Sequence, residues 1–407
     1  MHTSAHASFH TLGLSEPLLR DLTAAGLVVP TPIQAQAIPP ALEGRDVIGC
    51  AQTGTGKTAA FVIPMIERLA ALPKGQPQAL ILAPTRELAL QISGAIEKLG
   101  RSHSISATVI VGGSDMQAQI RGLRQRPDVL VATPGRLLDH MWNGTVNLAP
   151  MKILVLDEAD RMLDMGFAPQ INQILDALPI ERQTLLFSAT IQTDVTHLVQ
   201  TSLSGAVRVM ITPASTTAEG VTQTVHHTSS QEKTKLLVSL LATERGTVLI
   251  FARTKSRVDR LGQSLEQAGH RVAVIHGDRS LPQRLRALDG FKRGQVRILV
   301  ATDIAARGID VANIGHVVNY DMPNCPEDYI HRIGRTARMK MTGRATSFVT
   351  FEDRDQLCAI ETLLGNSLPL AEGSPSLLDR SYVRMTERPR GDRPQWGYQR
   401  RTKAGIN

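Results

Sequence analysis

Short aliphatic runs recur along the chain, each closed by small or polar residues and followed by a segment of helical periodicity: DVIGC, ALILAP, ATVIVGG, DVLVATP, KILVLDEAD and TLLFSAT. A strand with one wet face alternates apolar and polar residues. Uninterrupted apolar runs instead fit parallel strands covered by helices on both faces. A second set of the same kind follows, TVLIFART, RVAVIHGD, RILVATD, HVVNYD and ATSFVTF. Between the sets, SLSGAVRVMITPASTTAEGVTQ is rich in Ser, Thr, Gly and Ala and reads as a boundary. The pattern predicts an α/β protein of two similar domains, residues 1–210 and 218–367, joined by a linker at 211–217 and followed by a tail at 368–407.

Composition supports that division, since 407 residues are more than one core comfortably serves. No apolar run approaches the ~18 residues of a membrane span, and the first residues, MHTSAHASFHTLGLSEP, lack the charged-then-apolar order of a secretory signal. Cys50, Cys325 and Cys358 form no CxxC pair, so a reducing, cytoplasmic compartment is expected rather than a disulfide or zinc framework. Net charge is +8, and from Arg380 onward eight basic residues face two acidic ones, a net +6. That Pro-, Gly- and Arg-rich tail is expected to be disordered and basic, with Trp396 and Tyr398 lying among its arginines.

Two segments carry chemistry. After DVIGC comes AQTGTGKT, Ala51 to Thr58, and then a helical pattern; strand, glycine loop and helix in that order form the setting of a phosphate-binding loop. Backbone N–H groups around Gly54 and Gly56 would surround phosphate oxygens, Lys57 would meet the β- and γ-phosphates, and the Thr58 hydroxyl would ligate Mg²⁺. Ala51 stands where the strict pattern has Gly. KILVLDEAD ends a buried run with Asp157, Glu158 and Asp160. Alone, these acids would read as a solvated helix start favoured by the dipole. Beside a phosphate loop, Asp157 becomes the candidate Mg²⁺ partner and Glu158 the candidate to orient or deprotonate the attacking water.

With PTPIQ, PTRELA, GG, TPGR, SAT, FARTK, ATDIAARGID and HRIGRTAR in the same order, the chain resembles the DEAD-box ATP-dependent RNA helicases of superfamily 2, and among them the bacterial RhlE-type members. The resemblance spans residues 9–365 and implies two tandem RecA-like domains, each a parallel sheet flanked by helices. It implies ATP and Mg²⁺ as cofactors, and a nucleotide site of Phe9, Gln34, Ala51, Gln52, Thr53, Gly54, Thr55, Gly56, Lys57, Thr58 and Asp310. Gln34 would read the base edge and Asp310 the ribose, while Arg335 and Arg338 would reach the γ-phosphate from the second domain. RNA would be held by Arg86, Gly113, Thr133, Arg136, Arg253, Thr254 and Thr302, residues suited to phosphate and sugar rather than to bases. Asp160, Ser188 and Thr190 would couple nucleotide state to unwinding.

Two residues depart from the family pattern: Leu27 replaces an aromatic expected on the adenine, and Leu281 replaces a Gln three residues before Arg284, with Gln283 nearby. The expected function is local unwinding of short RNA duplexes, or remodelling of RNA–protein complexes, by a monomeric core. Ribosomal or mRNA-decay assemblies are the partners the family suggests. An ATP-gated RNA clamp with little unwinding would use the same residues.

Overall fold

The structure is a computed structural model that describes residues 8–51, 54–190, 193–211, 220–306, 314–337 and 342–374. Gln52, Thr53, Asp310, Arg338, linker residues 212–217 and the basic tail lie outside the described residues.

The first half of the chain supplies β1 (Val47–Cys50), β2 (Ala79–Leu82), β3 (Ala107–Ile110), β4 (Val129–Ala132), β5 (Ile153–Leu156), β6 (Gln183–Ser188) and β7 (Val207–Met210), in the sheet order β3-β4-β2-β5-β6-β1-β7. The second half supplies β8 (Val221–His227), β9 (Val248–Phe251), β10 (Val272–Ile275), β11 (Ile298–Ala301), β12 (His316–Asn319) and β13 (Gly343–Val349), in the order β10-β11-β9-β12-β13-β8. Every pairing between these strands is parallel.

The continuous apolar runs have the expected cause. Along β2, Ala79 and Ile81 enter one apolar cluster while Leu80 and Leu82 enter another; β5 divides the same way into Ile153 and Val155 against Leu154 and Leu156. Successive side chains point to opposite faces, and helices cover both. In the second domain Val248 and Ile250 lie in one cluster, Leu249 and Phe251 in the other.

The expected boundary at 367 falls short of the second domain's packing. Leu368 is buried with Val225 and Tyr329, residues Pro369 to Ala371 bridge to Val225, and Ser374 hydrogen-bonds the backbone of His227. Burial of Leu368 and the backbone bridge between Leu370 and Val225 extend the domain beyond its last helix, Arg354–Leu364.

Candidate active site and strand-binding surface

In an open parallel sheet, ligands gather beyond the carboxyl ends of the strands. β5, β6 and β1 are neighbours in the first sheet, so the segments that follow them meet. After β1, Ala51 is buried, and Gly56 adopts φ +92° as it caps the helix Lys57–Ala70. A side chain at Gly56 would collide with Gln34 and Thr31. Gln34, buried on the helix Pro32–Leu42, spans the gap: its amide oxygen accepts the Thr31 N–H (2.9 Å) and its nitrogen donates to the Gly56 carbonyl (3.1 Å). The expected base-recognition segment and the candidate phosphate loop are thus tied together. Phe9 lies in the first domain's core at 2% exposure and anchors the start of this segment. Leu27 packs against the same cluster.

Lys57 is buried, and its Nζ has no hydrogen-bond partner among the described residues. Asp157 and Glu158, at the end of β5, are buried as well. Burial pushes the Asp157 carboxyl up to about 7; Lys57 opposes the rise and the charges of Glu158 and Asp160 add to it. Burial acts the same way on Glu158, but the charges of Arg161, Lys57 and Arg335 outweigh it and hold Glu158 below the ordinary carboxylate range. Arg161 does so directly, donating from Nη1 to Glu158 Oε2 at 2.7 Å. Environments that drive neighbouring carboxyls apart are how one site obtains groups with different proton affinities. Glu158 also sits at φ +51°, a left-handed conformation that costs a non-glycine residue ~1–3 kcal/mol and that persists only where its surroundings impose it. The Asp157 carboxylate and the half-buried Thr58 hydroxyl are hard oxygen donors, the kind that a hard divalent cation takes.

Asp160 faces the turn after β6. Its Oδ2 accepts the N–H groups of Ala189 and Thr190 (3.0 Å each) and the Thr190 hydroxyl (3.1 Å), while Ser188 Oγ donates to the Thr190 carbonyl (2.6 Å). One carboxylate therefore carries the whole SAT turn.

From the second domain, Arg335 is buried close enough to act on Glu158. Arg161, Phe251, Asp303, Arg332 and Arg335 line one small cavity between the domains. Sequence reading did not single out Arg332 or Asp303: Arg332 grips both Asp303 oxygens (2.6 and 2.7 Å), donates to the Asp321 carbonyl (2.7 Å) and stacks on Phe251. This clamp fixes the segment that presents Arg335.

The expected strand-binding residues collect on the other half of each sheet. Arg86 follows β2, Gly113 follows β3, and Thr133 and Arg136 follow β4, three adjacent strands. Gly113, at φ +72°, lies against the Arg86 guanidinium, and Arg136 donates to the Ser114 carbonyl (3.0 Å), so the three loops touch. In the second sheet Arg253 and Thr254 follow β9 and Thr302 follows its neighbour β11. Arg253 is braced by two acids that the sequence did not flag: its N–H donates to Asp321 (2.9 Å) and its guanidinium to Asp353 (3.2 Å). Buried Lys233 lies 3.6 and 3.4 Å from those same carboxylates. The domains also meet through the helix Leu281–Lys292, where Arg284 Nη2 donates to Glu87 Oε2 at 2.8 Å. Gln283 is engaged elsewhere, since its amide oxygen accepts the Ser280 N–H and closes that helix's N-terminus.

Two parallel-sheet domains that share a phosphate loop, an acidic strand end and an opposing arginine define a two-lobed nucleotide-dependent motor of the tandem RecA-like class. Comparison with known proteins narrows this. The DEAD/DEAH box helicase family matches residues 31–198, and the helicase conserved C-terminal domain matches residues 232–340. The chain is 44% identical to the DEAD-box ATP-dependent RNA helicase CshA of Geobacillus kaustophilus, over 87% of this chain and 76% of that protein. It is 43% identical to the ATP-dependent RNA helicase RhlB of Pseudomonas syringae, over 93% and 98%. The chain belongs to the DEAD-box family of ATP-dependent RNA helicases. Among solved structures, Saccharomyces cerevisiae Dbp5 bound to RNA and ADP BeF3 matches with TM-score 0.80 at 33% identity, covering 93% of this chain and 98% of that one. A DEAD box protein from Methanococcus jannaschii, 36% identical and covering 90% and 99%, matches with only 0.52.

Proposed function

We propose that this protein is an RNA-stimulated ATPase that binds RNA without sequence specificity and opens short duplexes by closing its two domains around one strand. The observation that carries this reading is the meeting of Lys57 and Glu158 from one domain with Arg335 from the other in a single buried charged cluster. The relatives' names and the RNA bound in Dbp5 support the choice of RNA. The similarity to RhlE-type members rests on the motifs quoted above.

In this reading the phosphate loop and Lys57 hold the triphosphate, and Gln34 keeps the base-recognition segment in step with the loop. Thr58 and Asp157 are the residues to hold Mg²⁺, which when bound neutralises phosphate charge. Glu158, ionised at neutral pH and steered by Arg161, orients the attacking water and takes up its proton. Arg335, with Arg338, stabilises charge on the transferring phosphoryl group; arginines in this role are worth about 10³–10⁵ in rate. Because they come from the second domain, hydrolysis depends on closure. RNA laid across Arg86, Gly113, Thr133 and Arg136 and onto Arg253, Thr254 and Thr302 favours closure from the other side, so ATP and RNA reinforce each other by linkage. A strand bent to follow both domains leaves its duplex partner. The free thiols and the lack, among the described residues, of a helix able to cross a membrane agree with work in a reducing cytoplasm.

The test is RNA affinity with and without a non-hydrolysable ATP analogue, together with ATPase rate with and without RNA. Tighter RNA binding with the analogue and faster hydrolysis with RNA are expected. Unchanged values in both would sink the coupling.

A further inference from the structure

The helix Leu281–Lys292 belongs to the second domain, yet its first residue is buried in the first. Leu281 is 8% exposed and falls within the apolar cluster that contains Phe61, Ile81 and Val155; among the described residues every other member of that cluster comes from residues 9–211. Three positions on, so on the same face of the helix, Arg284 makes its buried ion pair with Glu87. That pair is incompletely satisfied, since Glu87 Oε1 and Arg284 Nε are buried without a hydrogen-bond partner. Arg86, next in sequence to Glu87, stands near enough for its charge to act on Arg284.

These features have different consequences. A buried ion pair that leaves polar atoms unpaired gives register and costs desolvation, so it is a poor source of net closing energy. An apolar side chain moved from water into a packed cluster gives net stabilisation without requiring a ligand.

We propose that Leu281 is a positioning residue, the apolar half of an interdomain latch that favours the closed state. Glu87–Arg284 sets the register of the latch, and an RNA phosphate at Arg86 relieves the repulsion between Arg86 and Arg284. The latch rests on the closure reading above and adds that part of the closing energy is built into the protein rather than supplied by ATP and RNA. Removing the apolar contact should therefore weaken only those affinities that require closure.

The experiment uses the full chain, single-stranded RNA and a non-hydrolysable ATP analogue. For Leu281→Ala, RNA affinity with the analogue is expected to fall about tenfold, which corresponds to about 1.4 kcal/mol. Without nucleotide it should match wild type, which also shows that the second domain is intact. Leu281→Met, which keeps the apolar volume, should restore the affinity. Equal RNA affinity of Leu281→Ala and wild type with the analogue overturns the latch, as does an equal loss with and without nucleotide. If wild-type protein itself gains no RNA affinity from the analogue, the closure reading fails and takes the latch with it; a wild-type gain that Leu281→Ala retains removes the latch alone.

Discussion

Glu158 and Asp157 are adjacent in sequence and have opposite electrostatic fates. Arg161, Lys57 and Arg335 keep Glu158 ionised, so it can serve as a base at neutral pH. Glu158→Gln preserves shape and most packing, and should lower RNA-stimulated hydrolysis by about 10²–10⁴. Nucleotide affinity, followed by a fluorescent analogue, should change little. A variant hydrolysing ATP at the wild-type rate would refute the role given to Glu158. For Asp157 the folded value of about 7 lies above the ordinary 3.8. Between these pH values the folded chain holds a proton that the unfolded chain has released. The stability this contributes is complete below the lower value and is lost as pH rises through the upper one. Asp157→Asn cannot ionise, so without nucleotide its melting temperature should gain on wild type between pH 5 and pH 8. A difference that stays flat across that range would show that Asp157 is ionised throughout.

At the level of elements, the acid strand end and the SAT turn are one unit because β5 and β6 are adjacent and Asp160 bonds both N–H groups and the hydroxyl of the turn. Asp160→Ala would strand those donors, at about 1–3 kcal/mol for a buried group left unpaired. Strand displacement per ATP consumed should fall more than the hydrolysis rate itself; an unchanged ratio would make the link merely structural. Sequence made the interior of each sheet legible, because strands such as β2 and β5 are buried on both faces and must be apolar throughout. The edge strands β7 and β8 were not legible. VRVM lay inside the segment read as a boundary, and VTQTVHH bears no continuous apolar run, since partial exposure there permits polar residues. Residues expected to touch ligand stand in motifs that the sequence displays. Arg161, Arg332, Asp303, Asp321, Asp353 and Lys233 were not legible: they act on other side chains, and only the tertiary fold reveals the partner.

Over the whole molecule, the candidate nucleotide and strand surfaces occupy neighbouring halves of the same sheets, and in the proposed mechanism two domains come together to complete either. Glu87 and Arg284 lie 197 residues apart in sequence and meet only when that happens. Glu87→Ala and Arg284→Ala should each weaken RNA binding in the presence of the ATP analogue, by about 3–5 kcal/mol where the surviving charge stays buried and alone. The double variant should lose less than the two losses combined, as a double-mutant cycle would measure. Strict additivity would mean that the contact carries no coupling.

In the proposed mechanism both sheets give their carboxyl ends to chemistry, and this leaves the opposite poles out of it. In the first domain that pole includes the turn at Ile180, which is 96% exposed just ahead of β6. A tether or fusion partner attached there would hold every copy with its working face outward, which makes this turn the natural anchoring point for watching single molecules open and shut.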